Sequence, residues 1–226
     1  MRGQPPEDRY GDGAPDDTER HAEEVRALPP LRMLVFADLH STWWETVRDL
    51  IQIAYLEEYD CVLFLGDICA DDIRAILPHT KGVPCLYVLG NHDGWNQNKK
   101  TGGLTDMDGK TIVINGIRIS GVSGGPKYKY DDHAMRTEEE MEKALEGVGE
   151  TDILISHDSP YHLMGTNWSH GGFAAITDFI DREKPALHIF GHHHTDHEEI
   201  VRGTREICVY GCALITTSPF EIQKLM

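Results

Sequence analysis

Residues 31–40 read LRMLVFADLH, an apolar run that stops abruptly at Asp38 and His40. A short, continuous run of this kind is the pattern of a strand buried on both faces. Four further runs end the same way: 61–67 (CVLFLGD), 85–93 (CLYVLGNHD), 153–158 (ILISHD) and 187–194 (LHIFGHHH). Between them, Val47, Leu50, Ile51, Ala54 and Tyr55 form a helical stripe within 44–57. Thr137 and Glu140 carry the signature of a capping box at the start of a second helix, 137–145, and 173–182 reads as a third. Asn115-Gly116 joins 111–114 to 118–121 as a hairpin, and 199–202 with 206–210 forms another. Strands alternating with helices, then hairpins, predict an α/β fold with sheets in the centre and helices outside.

Composition sets limits on what such a fold does. The chain has 226 residues, 40% of them apolar, enough for one sizeable core. Residues 1–29 are rich in Pro, Gly, Asp and Glu and predict a flexible acidic tail, leaving 30–226 as the folded domain. The net charge of −17 disfavours tight binding of long nucleic acid. Five cysteines (Cys61, Cys69, Cys85, Cys208, Cys212) show no disulfide spacing and read as reduced thiols of a cytoplasmic protein. No apolar stretch approaches the roughly 20 residues that span a bilayer.

The informative feature is the polar cluster at the end of each strand. Loops after the strands of such a sheet are where ligands bind. Here they carry Asp38, His40, Asp67, Asn91, His92, Asp93, His157, His192 and His194, the oxygen and nitrogen donors that divalent first-row metals accept. Asp38 and His40 are two apart, as are His192 and His194, so extended backbone puts each pair on one face and turns His193 away. These pairs with Asp67, Asn91 and His157 suffice for two metals sharing one carboxylate. Glycines 66, 90 and 191 are expected to let the backbone turn sharply towards that centre.

As an ordered set, Asp38-x-His40, Gly66-Asp67, Gly90-Asn91-His92-Asp93, His157 and Gly191-His192-x-His194 resemble the motif series of the calcineurin-like metallophosphoesterase superfamily. The resemblance implies a four-layer α/β/β/α sandwich, two mixed sheets flanked by helices. It implies two divalent ions (manganese, iron or zinc), one held by Asp38, His40, Asp67 and His194 and the other by Asp67, Asn91, His157 and His192, with a bridging hydroxide as nucleophile. His92 takes the place of the proton donor to the leaving group, with Asp71 or Asp93 as the carboxylate that orients it. The chain departs from the serine/threonine phosphatase branch: Ala70 stands where that branch has an Asp, and Asp93 replaces its Glu.

The expected activity is hydrolysis of a small phosphodiester, a cyclic nucleotide or similar. Single-strand nuclease activity and a metal-binding scaffold without activity are the alternatives. The loop 121–136 is expected to choose the substrate: Tyr128 stacking on a base, Lys127 meeting phosphate and His133 lining the cleft, with His170 approaching from another loop.

Overall fold

In β1 (Arg32–Ala37), Met33, Val35 and Ala37 join one buried cluster while Leu34 and Phe36 join another. Alternation along a strand sends neighbouring side chains to opposite faces, so a run apolar throughout needs cover on both. The computed structural model describes residues 28–40, 43–97, 101–129, 131–165 and 169–226. The expected acidic tail, apart from its last two residues, lies outside the described residues.

Two six-stranded sheets, packed face to face, provide one of those covers. The first has the order β14-β13-β1-β2-β3-β4, built from β1, β2 (Cys61–Phe64), β3 (Cys85–Tyr87), β4 (Thr105–Asp106), β13 (Gly211–Thr217) and β14 (Phe220–Lys224). The second has the order β11-β12-β10-β9-β6-β5. Its strands are β5 (Lys110–Ile114), β6 (Ile117–Val122), β9 (Ile153–Ser156), β10 (Leu187–Phe190), β11 (His197–Val201) and β12 (Thr204–Cys208). Both are mixed: β1, β2, β3 and β4 run parallel with β13 antiparallel to β1, and β6, β9, β10 and β12 run parallel between antiparallel edges. Val35, Leu63 and Leu65 from one sheet meet Ile119, Ile155 and Ile189 from the other. Helices α1 (Trp44–Leu56) and α2 (Ala70–Ile76) cover the outer face of the first sheet through Leu50, Ala54, Ile73 and Ile76. Helices α3 (Glu138–Leu145) and α4 (Ala174–Glu183) cover the second through Met141, Leu145, Ile176 and Phe179. This is the four-layer α/β/β/α sandwich, with a two-stranded ladder of β7 (Gly125–Pro126) and β8 (Met135–Arg136) beside it. Among the described residues no helix is long and apolar enough to cross a membrane.

The Thr137–Glu140 capping box forms, and the turn at Asn115-Gly116 has φ of 50° and 82°, as a two-residue hairpin requires. The second hairpin has a tighter turn than expected. Arg202-Gly203 (φ 55° and 80°) is itself the turn, so β11 stops at Val201 and β12 starts at Thr204. Several elements escaped the sequence expectations, among them the short strands β4, β7 and β8, the edge strand β14, helix α2 and strand β13. Helix α2 is too short to show a period, and β13 is an apolar run that pairs with β1 from the far end of the chain.

Candidate metal centre

All five polar clusters emerge at one edge of the two sheets, and backbone hydrogen bonds lace them together. Asp38 N–H donates to Gly66 O (3.2 Å), His40 N–H to Asp67 O (2.7 Å) and Gly191 N–H to His157 O (3.0 Å). His92 N–H donates to Asp67 Oδ1 (2.8 Å), which joins the loop after β3 to the one after β2.

The ligand-type side chains are not presented by extended backbone. Asp38, His40, Asp67, His192 and His194 have φ of 53°, 51°, 53°, 69° and 50°. Left-handed conformations are costly for residues with a Cβ, and they collect where function over-determines the backbone. Only Gly66, at φ +91°, meets the expectation of a turning glycine; Gly90 and Gly191 are present for closeness. A Cβ at Gly90 would lie 2.2 Å from Asp67 Oδ1, and one at Gly191 2.7 Å from Asp38 Oδ2.

The hydrogen bonds of these residues leave acceptor atoms facing one another, as a cation site requires. His157 donates from Nδ1 to Leu65 O (2.8 Å), so Nε2 is left facing Asn91 Oδ1 at 3.0 Å and Asp67 Oδ2 at 3.5 Å. Three acceptors therefore converge unless the ring carries a second proton. Burial opposes that charge, but Asp67 and Asp38 outweigh it and push His157 up to about 10. Asp67 in turn is held well below the usual carboxylate range, His157 overcoming the cost of burial. His192 donates from Nε2 to Ser169 O (2.8 Å), which leaves Nδ1 as the nitrogen available to a cation. Fixing one ring nitrogen on a carbonyl so that the other faces a metal is how ligating imidazoles are oriented.

Asp38 supplies a second sign. Both of its oxygens are buried without a hydrogen-bond partner, and burial, aided by Asp67 and Asp93 against His157, pushes its pKa up to about 7. Buried polar atoms are nearly always satisfied, and exceptions call for an ion or a functional reason. Ligand atoms of Asp38, His40 and His194 lie within 4.8 Å of one another, as do those of Asp38, Asp67 and His157. Burial lowers the pKa of His40, of His194 and, to about 4, of His192, keeping these rings neutral and ready to ligate. The donor set fits divalent cations.

The expected orienting carboxylates are both engaged elsewhere. Asp71 is exposed in the first turn of α2 and bonds Arg74. Asp93 is buried, its Oδ2 accepting from Asp67 N–H (2.8 Å) and Gly90 N–H (2.9 Å) and its Oδ1 from Gln97 Nε2 (2.9 Å). Asp93 thus braces the loops after β2 and β3, and burial pushes its pKa up to about 6. The ring of His92 is exposed and stands edge-on to His40, 5.4 Å between centroids.

Of the expected substrate contacts, Tyr128 lines the cleft beside Asp67, Asn91 and His92, and so does His170. Lys127 points instead to Glu140 (3.6 Å), and His133 Nδ1 rests on Asp131 Oδ1 (2.8 Å). Their own loop and helix supply acids close enough to hold them. Sequence reasoning also missed a buried chain beside His157. Ser156 donates to Asp158 O (2.5 Å), so its oxygen accepts from His188 Nε2 (2.7 Å), whose Nδ1 lies 2.6 Å from Glu206 Oε2. An isolated His in a strand sequence carries no signal of such a partnership.

Comparisons with known proteins address the fold and the family. The UPF0046 protein K07C11.7 of Caenorhabditis elegans is 28% identical over 116 residues, 51% of this chain and 39% of that protein. The match therefore spans well under half the length of that relative. A novel archaeal phosphodiesterase superposes with a TM-score of 0.54 at 13% identity, covering 85% of this chain and 98% of that one. The phosphopantetheinyl hydrolase PptH of Mycobacterium tuberculosis gives a TM-score of 0.54 at 15% identity, covering 79% and 89%. At such identities these likenesses concern the fold. Residues 31–196 match the family model of the calcineurin-like phosphoesterases, and with motifs, fold and donor set in agreement the chain belongs to that family.

Proposed function

We propose that this phosphoesterase hydrolyses small phosphodiesters with the help of two divalent cations. The observation that carries the reading is that Asp67 and His92 line two cavities at once. One, of about 290 Å³, continues to Tyr128 and His170; the other, of about 340 Å³, continues to Cys69, Ala70 and Gln97. A monoester needs room for one organic group beside phosphorus, and a diester needs room for two. Ala70, which replaces an Asp of the serine/threonine phosphatase branch, adds no polar group to the second cavity.

In this reading Asp38, His40, Asp67 and His194 hold one cation and Asp67, Asn91, His157 and His192 the other, Asp67 being shared. Cations held there supply Lewis acidity towards the phosphoryl oxygens and a water of lowered pKa. The protein's own part is to keep the three depressed imidazoles unprotonated, to fix ring orientation through Leu65 O and Ser169 O, and to present His92 to the ester oxygen that leaves. His92, exposed between the two cavities, gives that oxygen its proton.

The test is a pair of chromogenic substrates sharing one leaving group. Metal-loaded protein is expected to hydrolyse bis(p-nitrophenyl) phosphate with a kcat/KM at least about tenfold above that for p-nitrophenyl phosphate, a difference of about 1.4 kcal/mol in transition-state binding. Equal values, or a preference for the monoester, overturn the diester reading.

A further inference from the structure

The two cavities that meet at Asp67 and His92 have different walls. The loop containing Tyr128 is rich in charge, but its lysines are answered locally: Lys127 by Glu140 (3.6 Å) and Lys129 by Asp131 (3.1 Å). What this loop contributes to the lining of the 290 Å³ cavity is Tyr128, with Lys129 Nζ 5.4 Å from its ring centroid. The loop before α4 brings His170, whose ring lies nearly parallel to that of His192, 24° between planes and 4.8 Å between centroids. Ring planes set by a neighbour in this way are pre-organised for stacking. The 340 Å³ cavity is instead lined by Ile68, Cys69, Ala70 and Gln97 beyond His40 and His92.

From this asymmetry we infer that Tyr128 and His170 form the subsite for a flat aromatic group of the substrate, a nucleobase, and so determine specificity. The inference rests on the phosphodiester reading for what lies next to the cavity, and it names the class of diester: one with a nucleoside-sized arm. Aromatic rings hold a base by its π-face and need no cation of their own, which suits a chain of net charge −17 whose loop lysines are already paired. A volume of about 290 Å³ beside Asp67 and His92 is of the size that holds one such arm.

The experiment is equilibrium binding of two probes to the metal-loaded full chain by calorimetry, adenosine 5′-monophosphate against ribose 5-phosphate. They share phosphate and sugar and differ in the base. The nucleotide is expected to bind about 5- to 150-fold more tightly, the range associated with one stacked base. Tyr128→Leu and His170→Leu should each remove most of that advantage while leaving the affinity for ribose 5-phosphate unchanged, and Tyr128→Phe should keep it. Unchanged ribose 5-phosphate affinity also shows that the metal-binding residues remain in place in each variant. Equal affinity of the wild type for both probes, no binding of either, or a base advantage that survives both leucine variants overturns the inference. Each is separable from failure of the diester reading, which the paired chromogenic substrates decide without any base.

Discussion

Nε2 of His40 and Nε2 of His194 stand 2.9 Å apart, although 154 residues separate them in sequence. Both rings have depressed pKa values, first because burial disfavours charge; His92 and His157 lower His40 further, and His40 does the same to His194. Two ring nitrogens aimed at one another share either a proton or a cation. Asp38, with both oxygens unpartnered, lies in the same group and tips the balance to the cation.

Metal should therefore stabilise the folded state. A cation at about 100 times its Kd contributes about 2.7 kcal/mol. For a chain of this size that raises Tm by roughly 5–10 °C. Thermal unfolding with manganese or zinc, against the same protein in excess chelator, measures the shift. Superimposable curves would count against a bound metal.

Asp38 predicts a pH dependence of the metal-free protein. Its carboxyl is raised from 3.8 to about 7 by burial, so the fold holds this proton more tightly than the unfolded chain does. The resulting stabilisation is complete below about pH 4 and is lost as pH rises through about 7, by up to about 4 kcal/mol. Asp38→Asn cannot ionise. Without metal, the variant is expected to be more stable than the wild type at pH 8 and to match it near pH 4. Urea unfolding at the two pH values decides; parallel stability curves refute the assignment.

Asp93 and Asp71 should behave very differently on truncation. Asp93→Ala leaves the buried amides of Asp67 and Gly90 without their acceptor, at about 1–3 kcal/mol each. A Tm drop of several degrees and weaker metal binding are expected. Asp71→Ala loses an exposed pair with Arg74 and should change stability by less than about 1 kcal/mol. Similar penalties for the two would contradict the bracing role.

His92→Ala should separate chemistry from metal binding. The exposed ring can be removed without disturbing the donors, so metal content and Tm stay at wild-type values while kcat falls by about 10²–10⁴. Elemental analysis alongside turnover of a diester provides both readings. Full turnover in the variant would remove His92 from the mechanism.

Gly90→Ala tests the close approach of the backbone to Asp67. The added Cβ would sit 2.2 Å from Asp67 Oδ1 and 2.6 Å from Asp67 N, and backbone cannot retreat cheaply. A stability loss of about 1–3 kcal/mol is expected, with metal affinity reduced as well. A variant that binds metal normally would show that the loops after β2 and β3 can part.

Much of this protein was legible in one dimension. Runs such as 31–37 and 61–65 are apolar without interruption because both sides of their strands are covered, and that pattern is visible in the order of residues alone. The capping box at Thr137 and the Asn115-Gly116 turn are equally local, each settled by contacts within a few residues. The candidate donors were legible too, since divalent cations accept few side-chain types and these recur at every strand end.

What the order of residues could not convey was conformation imposed from outside. Asp38 and His40 are left-handed where their amides are tied to Gly66 O and Asp67 O in the loop after the neighbouring strand, a constraint their own φ and ψ preferences do not contain. Whether Asp93 or Asp71 faces the centre, and whether Lys127 meets substrate or Glu140, depended on which partner lay within about 4 Å after folding. Periodicity and residue type are properties of the chain and determined the layers and the candidate donors; direction and pairing of side chains are properties of the packed sheets, and the tertiary structure alone decided them.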